Sequence, residues 1–154
     1  MEKKSTLVFE SPLGLIEITG NGRAVTAMRF CEAGEAERKD SDDPVLLECQ
    51  KQLQEYFQGN RKAFDIPVEL KGTEFQKKVW EALKAIPYGK STCYEEIAKS
   101  LGNVKACRAV GAAIGRNPVC ILVPCHRVSG KDGSLTGFAW GLERKKWLLN
   151  HEKH

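Results

Sequence analysis

A thiol, an imidazole and a guanidinium stand in a row at Cys125, His126 and Arg127. They close the string Ile-Leu-Val-Pro-Cys-His-Arg-Val that fills residues 121–128. A cysteine reacts as its thiolate, and with an ordinary pKa near ~8.5 little thiolate exists at neutral pH. A neighbouring base or cation changes that. His126 can take the proton, and Arg127 adds positive potential. The same triplet also reads as a buried structural cysteine beside a surface histidine and arginine, because catalytic bases are usually adjacent in space rather than in sequence. Cys120, Cys125 and His126 fit no common zinc spacing, so no metal site is expected.

The elements that must position this triplet follow from the patterning. Residues 6–9, 15–18 and 24–30 read as strands, separated by Ser11-Pro-Leu-Gly14 and by the hairpin signal Asn21-Gly22. A polar loop over 31–43 leads to Pro44, suited to the first turn of a helix running to about Gln58, with Leu46, Cys49, Leu53 and Phe57 on one face and Gly59 as the stop. Residues 60–72 read as a connector. Thr73 is a candidate N-cap for a helix whose buried stripe is Phe75, Val79, Leu83 and Ile86. Pro87-Tyr-Gly89 breaks it. Thr92 is expected to cap a short helix with Tyr94, Ile97, Ala98 and Leu101 inward. After Gly102-Asn103, residues 105–115 form a second short helix with Ala106, Ala109, Val110, Ala113 and Ile114 on one face. Two short helices joined through a glycine turn make a helix-turn-helix. The second is rich in small residues (Ala106, Gly111, Ala112, Gly115), which permits close approach of another helix or of a nucleic-acid backbone. Asn117-Pro118 ends it. Residues 129–140 are loop-like, and 143–152 read as a last helix with Leu142, Trp147 and Leu149 inward.

The expected fold is α+β. An α/β support domain covers 1–70, a small three-stranded antiparallel sheet with one helix. An all-helical, winged-helix-like domain containing the helix-turn-helix covers 71–154. Charge divides at the same place. Residues 1–70 hold nine basic and thirteen acidic side chains, net −4, and residues 71–154 hold fifteen and seven, net +8. The triplet sits in the basic half, which points to a polyanionic partner. The longest uninterrupted apolar run is the stretch Val119 to Val123, too short to cross a membrane. No secretory signal follows Met1, and six cysteines without one read as reduced thiols in a cytoplasm.

The longer string Arg-Asn-Pro-Val-Cys-Ile-Leu-Val-Pro-Cys-His-Arg-Val, residues 116–128, resembles the active-site signature of the O6-alkylguanine-DNA alkyltransferases. The resemblance extends from about Thr73 to Glu152, while the N-terminal part matches only in length and pattern. It implies direct-reversal repair: an SN2 transfer of a methyl or alkyl group from O6-alkylguanine, and O4-methylthymine, in double-stranded DNA to the protein's own Cys125. The transfer is stoichiometric and irreversible, with no cofactor, by a monomer. By the same resemblance His126 is the base, acting through a bound water, and Glu152 orients it. Asn117 ties the helix to the Cys loop. Tyr94 contacts the target phosphate and protonates the leaving base. Arg108 replaces a base flipped from the stack. Lys105, Ala106 and Gly111 face DNA with them, in a minor-groove docking with little sequence readout. Arg127 matches the motif as a DNA-side cation or as a structural one. Val128, Phe138, Ala139 and Trp140 line the pocket, Cys125 and Val128 through their carbonyls. Within the loop Thr136-Gly-Phe-Ala-Trp-Gly141, Phe138 stands where tyrosine is commoner, and Trp140 is bulky where some relatives carry glycine. A narrower pocket for small alkyl groups is expected. Three other readings remain open on the residues: a Cys-His hydrolase, a non-catalytic DNA-binding damage sensor, and a helical interaction domain.

Overall fold

Alternating apolar and polar residues build the first three strands. In the computed structural model, which describes residues 4–32, 34–130 and 138–153, β1 (Ser5–Ser11), β2 (Gly14–Gly20) and β3 (Val25–Phe30) form an antiparallel sheet in that order. Ser11 pairs with Gly14, whose φ of 106° is a backbone state open to glycine. Asn21 turns the chain at the second reversal, its Oδ1 accepting from the N–H groups of Arg23 and Ala24. Each edge strand of the sheet is bridged at one position. Val8 exchanges backbone hydrogen bonds with Lys39, and Val25 donates to Pro67 and accepts from Glu69.

Asp43 caps α1 (Pro44–Phe57), accepting from the Val45 N–H at 2.9 Å. Leu46, Cys49 and Leu53 are buried as expected. Tyr56, 0% exposed, completes the stripe in place of Phe57, which lies at its half-exposed margin. This first unit spans residues 1–70.

The second unit, residues 71–154, begins at a capping box. Thr73 Oγ1 accepts from the Gln76 N–H at 3.1 Å, and Gln76 Oε1 accepts from the Thr73 N–H at 3.0 Å. They start α2 (Glu74–Lys84), which is followed by α3 (Tyr94–Ser100), a 3-10 turn at Val104–Ala106, α4 (Cys107–Gly115) and, later, α5 (Leu142–Glu152). Trp80 is 1% exposed and donates its indole N–H to the Ala113 carbonyl at 2.9 Å, tying α2 to α4. Gly102, φ 81°, makes the turn between α3 and the 3-10 segment.

Three expectations are corrected here. Thr92 does not cap α3. It forms β4 (Thr92–Cys93), paired parallel with β5 (Val128–Ser129), and Cys93 occupies the cap position without a side-chain bond. The extended, β-branched Thr92 thus stitches the helix-turn-helix to the residue after Arg127, a small sheet in a unit expected to be all-helical. On α4, Val110, Ala113 and Ile114 are buried, but Ala109 is exposed and Ala106 half-buried, because a 3-10 turn precedes the helix and shifts its facing. On α5 the inward face is Lys145, Leu148 and Glu152. Leu142 is 49% exposed, and Trp147 and Leu149 are half-buried. Among the described residues no helix is long and apolar enough to cross a membrane.

The capping box carries a stability expectation. Thr73→Ala removes one acceptor from an otherwise open helix end and lowers unfolding free energy by about 1 kcal/mol, measured by urea denaturation. An unchanged midpoint would contradict the assignment.

Candidate functional site

The Cys125–Arg127 turn hangs between two fixed points. Behind it, Asn117 at the end of α4 donates its amide to the Val123 carbonyl at 2.8 Å and accepts from the Val119 N–H at 3.0 Å. These bonds hold the chain through Ile121, a β-branched residue at φ 70°. Such a conformation is strained and persists only where the surroundings over-determine it. Ahead of it, Val128 and Ser129 are pinned in β5.

Glu152 is the hub of the side-chain network. Its Oε2 faces His126 Nε2 at 2.7 Å and accepts from Arg127 Nη2 at 3.0 Å, and its Oε1 accepts from Arg127 Nε at 2.8 Å. Arg127 Nη1 donates to the Ile86 carbonyl at 2.7 Å, and the guanidinium lies 5.8 Å from the Tyr88 ring centroid. All three network residues are buried, with His126 at 0%, Arg127 at 6% and Glu152 at 4% exposure. A carboxylate only accepts, so the proton between His126 and Glu152 resides on Nε2. That leaves the Nδ1 lone pair, which is buried and has no hydrogen-bond partner among the described residues.

Burial pushes the Cys125 thiol up to about 11, against a hydrogen bond from the Asn117 side chain and the field of Lys145, which favour the thiolate. At pH 7 the thiol therefore costs about 5 kcal/mol to ionise unaided. Burial also lowers the His126 pKa, outweighing the Glu152 carboxylate that raises it. The ring is neutral and able to accept a proton. A placed general base contributes roughly 10²–10⁴ in rate, the order of the thiolate deficit.

Of the residues singled out in the sequence, Cys125, His126, Arg127, Glu152 and Asn117 come together. Arg127 is the one whose DNA-side assignment the structure overturns. Its guanidinium is occupied by Glu152 and Ile86, so it positions the site and does not reach outward. Tyr94 is half-buried at the start of α3, with its ring 3.9 Å from where a Gly111 Cβ would stand. Lys105 in the 3-10 turn and Arg108 on α4 are exposed, with Ala106 and Gly111 half-buried. In the loop before α5, Phe138 and Trp140 are half-buried and Ala139 is exposed. Thr136 and Gly137 lie outside the described residues. Val128 is fully buried. Its carbonyl accepts from Lys145 Nζ at 2.6 Å, leaving one lone pair for another donor.

Lys145 is the site residue that sequence reasoning missed. It is 0% exposed, and burial lowers its pKa. The signal was its spacing of three and seven from Leu148 and Glu152, hidden in the run Arg-Lys-Lys of residues 144–146. Among the described residues no cluster of three or more His, Cys, Asp or Glu is placed to hold a metal.

Residues 74–154 match the family model described as the 6-O-methylguanine DNA methyltransferase DNA binding domain, and residues 5–70 match its ribonuclease-like domain. A methylated-DNA–protein-cysteine methyltransferase of Methanosarcina acetivorans is 48% identical over 149 residues, covering 94% of this chain and 96% of its own. The constitutive enzyme of that name from Bacillus subtilis is 45% identical, covering 94% and 92%. The crystal structure of Mycobacterium tuberculosis O6-methylguanine methyltransferase superposes with a TM-score of 0.88 at 40% identity, covering 97% of this chain and 93% of that one. A second M. tuberculosis structure, a complex with DNA, gives 0.86 at 42% identity, covering 95% and 91%.

The two arginines separate cleanly by stability. Arg127→Met leaves the Glu152 carboxylate buried without its main partner and costs about 3–5 kcal/mol. Arg108→Met, on an exposed helix face, stays within about 0.5 kcal/mol. Equal, small effects in thermal or urea unfolding would contradict the buried clamp.

Proposed function

The chain belongs to the 6-O-methylguanine DNA methyltransferase family, and from that premise we propose that Cys125 is its alkyl acceptor. The family's function is direct-reversal DNA repair, in which an alkyl group passes from the O6 of guanine in DNA to a cysteine of the protein. Duplex DNA carrying alkylated bases is the partner. The observation that carries Cys125 is the arrangement around His126. A neutral imidazole has its outer nitrogen held by Glu152 and its inner lone pair unused, on the same turn as the thiol.

His126 Nδ1 takes the Cys125 proton, relayed by one bridging water. The sulfur attacks the alkyl carbon as the C–O6 bond breaks, and a thioether forms. The departing guanine picks up a proton, supplied by the Tyr94 hydroxyl, and leaves as its stable amide tautomer. Nothing regenerates the thiol, so each molecule reacts once. Asn117 holds the loop and favours the thiolate. Glu152 and Arg127 orient the imidazole.

The helix-turn-helix serves to bring the base out. The reacting carbon is inaccessible inside stacked DNA, so the nucleotide must flip. Arg108 fills the vacated stack, and Lys105, Ala106 and Gly111 line the close approach of α4 to the backbone, supported by the net charge of +8 in residues 71–154. Residues 1–70 act as a support domain. Phe138 and Trp140 support a pocket that favours methyl over benzyl groups, on guanine and also on O4-methylthymine. Six free cysteines support a reducing, cytoplasmic setting. A Cys-His hydrolase would turn over, and a damage sensor would not need the thiol. Both readings yield to the family assignment.

Methylated duplex DNA incubated with the full chain gives a permanent mass gain of one CH₂ on the Cys125 peptide. Cys125→Ala abolishes uptake and leaves DNA affinity within about twofold, since no phosphate contact is lost. Methyl on any other cysteine, or uptake by the variant, would sink the assignment.

A further inference from the structure

Beside the catalytic network lies a cavity of about 380 Å³ whose walls include Glu152 and Ser129 but neither Cys125 nor His126. We propose that it is a binding site for a phosphate oxyanion, separate from the alkyl-acceptor site. Lys90, Lys146 and Lys153 converge on it from three segments: the turn after Pro87, the middle of α5 and its C-terminus. All three are exposed, and none makes an ion pair among the described residues. Lys84 and Lys99 of the same unit differ, each meeting a glutamate one turn back. The cavity therefore concentrates cationic charge that no described residue pairs.

The polar groups in it suit the same ligand. Ser91 and Asn150 line it with Ser129. Ser129 is 8% exposed, and among the described residues its hydroxyl has no hydrogen-bond partner. Phosphate oxygens accept charge-assisted bonds from ammonium groups and ordinary bonds from hydroxyls and amides together. Two features oppose an anion. The C-terminus of α5 contributes about half a negative charge, less than three ammonium groups supply. The Glu152 side chain is 2% exposed and its carboxylate is bound by Arg127, so it is turned away from the ligand. The cavity lies within the range of small-ligand pockets, about 300–1,000 Å³, and admits a phosphate or small phosphate ester. Occupancy would rest on the segment that holds Glu152 and on Ser129 of β5.

The test is an NMR titration of the ¹⁵N-labelled full chain with inorganic phosphate, against sodium chloride at matched ionic strength. Saturable shifts at the amides of Ser91, Ser129 and Asn150, seen with phosphate and not with chloride, are expected. The variant Lys90→Gln/Lys146→Gln/Lys153→Gln alters only exposed side chains and should keep the remaining spectrum while losing affinity roughly tenfold or more. Absence of saturable shifts, equal shifts with chloride, or undiminished affinity in the variant would overturn the site. Adding undamaged duplex to the phosphate-saturated protein identifies the source. Displacement of phosphate from these amides assigns the site to a DNA backbone phosphate, and retention assigns it to a free phosphate or small phosphate ester.

Discussion

One buried carboxylate organises the C-terminal unit. Glu152 is withdrawn from water, and an ion so placed pays a desolvation penalty of several kcal/mol. The bidentate Arg127 pair offsets it, and the His126 bond fills the remaining acceptor position. The consequence for chemistry lies in what the carboxylate forbids. Because Oε2 can only accept, the imidazole must present Nε2–H to it, and the basic nitrogen is forced to the other side of the ring. A single acid near the C-terminus thereby fixes the protonation pattern of a turn twenty-six residues away.

The rest of the unit serves to keep that geometry from relaxing. Asn117 braces the entrance of the turn, with Ile121 held in a left-handed conformation that a β-branched residue does not choose freely. The β4–β5 pair and the Lys145 bond to the Val128 carbonyl brace the exit. Trp80 locks α2 onto α4, so that the helix carrying Arg108 and the loop carrying Cys125 start from a common scaffold. A thiol pushed up to about 11 by burial is unreactive until a base is supplied at the right nitrogen. Under the proposed single transfer to Cys125, that arrangement keeps the sulfur from stray electrophiles.

Much of this was legible in the residues, for definable reasons. The strands, the Pro44 and Thr73 helix starts and the glycine turns follow local rules that tertiary packing left intact. Cys125, His126 and Glu152 were readable through a long motif, yet periodicity alone would have left Glu152 a solvated terminal acid. Thr92 misled because an extended threonine before a helix looks like a cap, and a two-residue parallel pair with a distant strand leaves no local trace. Arg127 was ambiguous because a cation in a basic half can serve DNA or a buried acid, and only burial distinguishes them. Lys145 was hidden for the complementary reason. Lysine is among the residues least often buried, so within Arg144, Lys145 and Lys146 it carried no mark of its role.

The most direct test of the account is the tautomer of His126, read from its ring ¹⁵N shifts across a pH titration of the unmodified protein. The expected result is a neutral ring at pH 7 protonated on Nε2, with Nδ1 bare, that becomes charged only below the ordinary imidazole value of 6.5. A proton on Nδ1, or an imidazolium already present at pH 7, would contradict it.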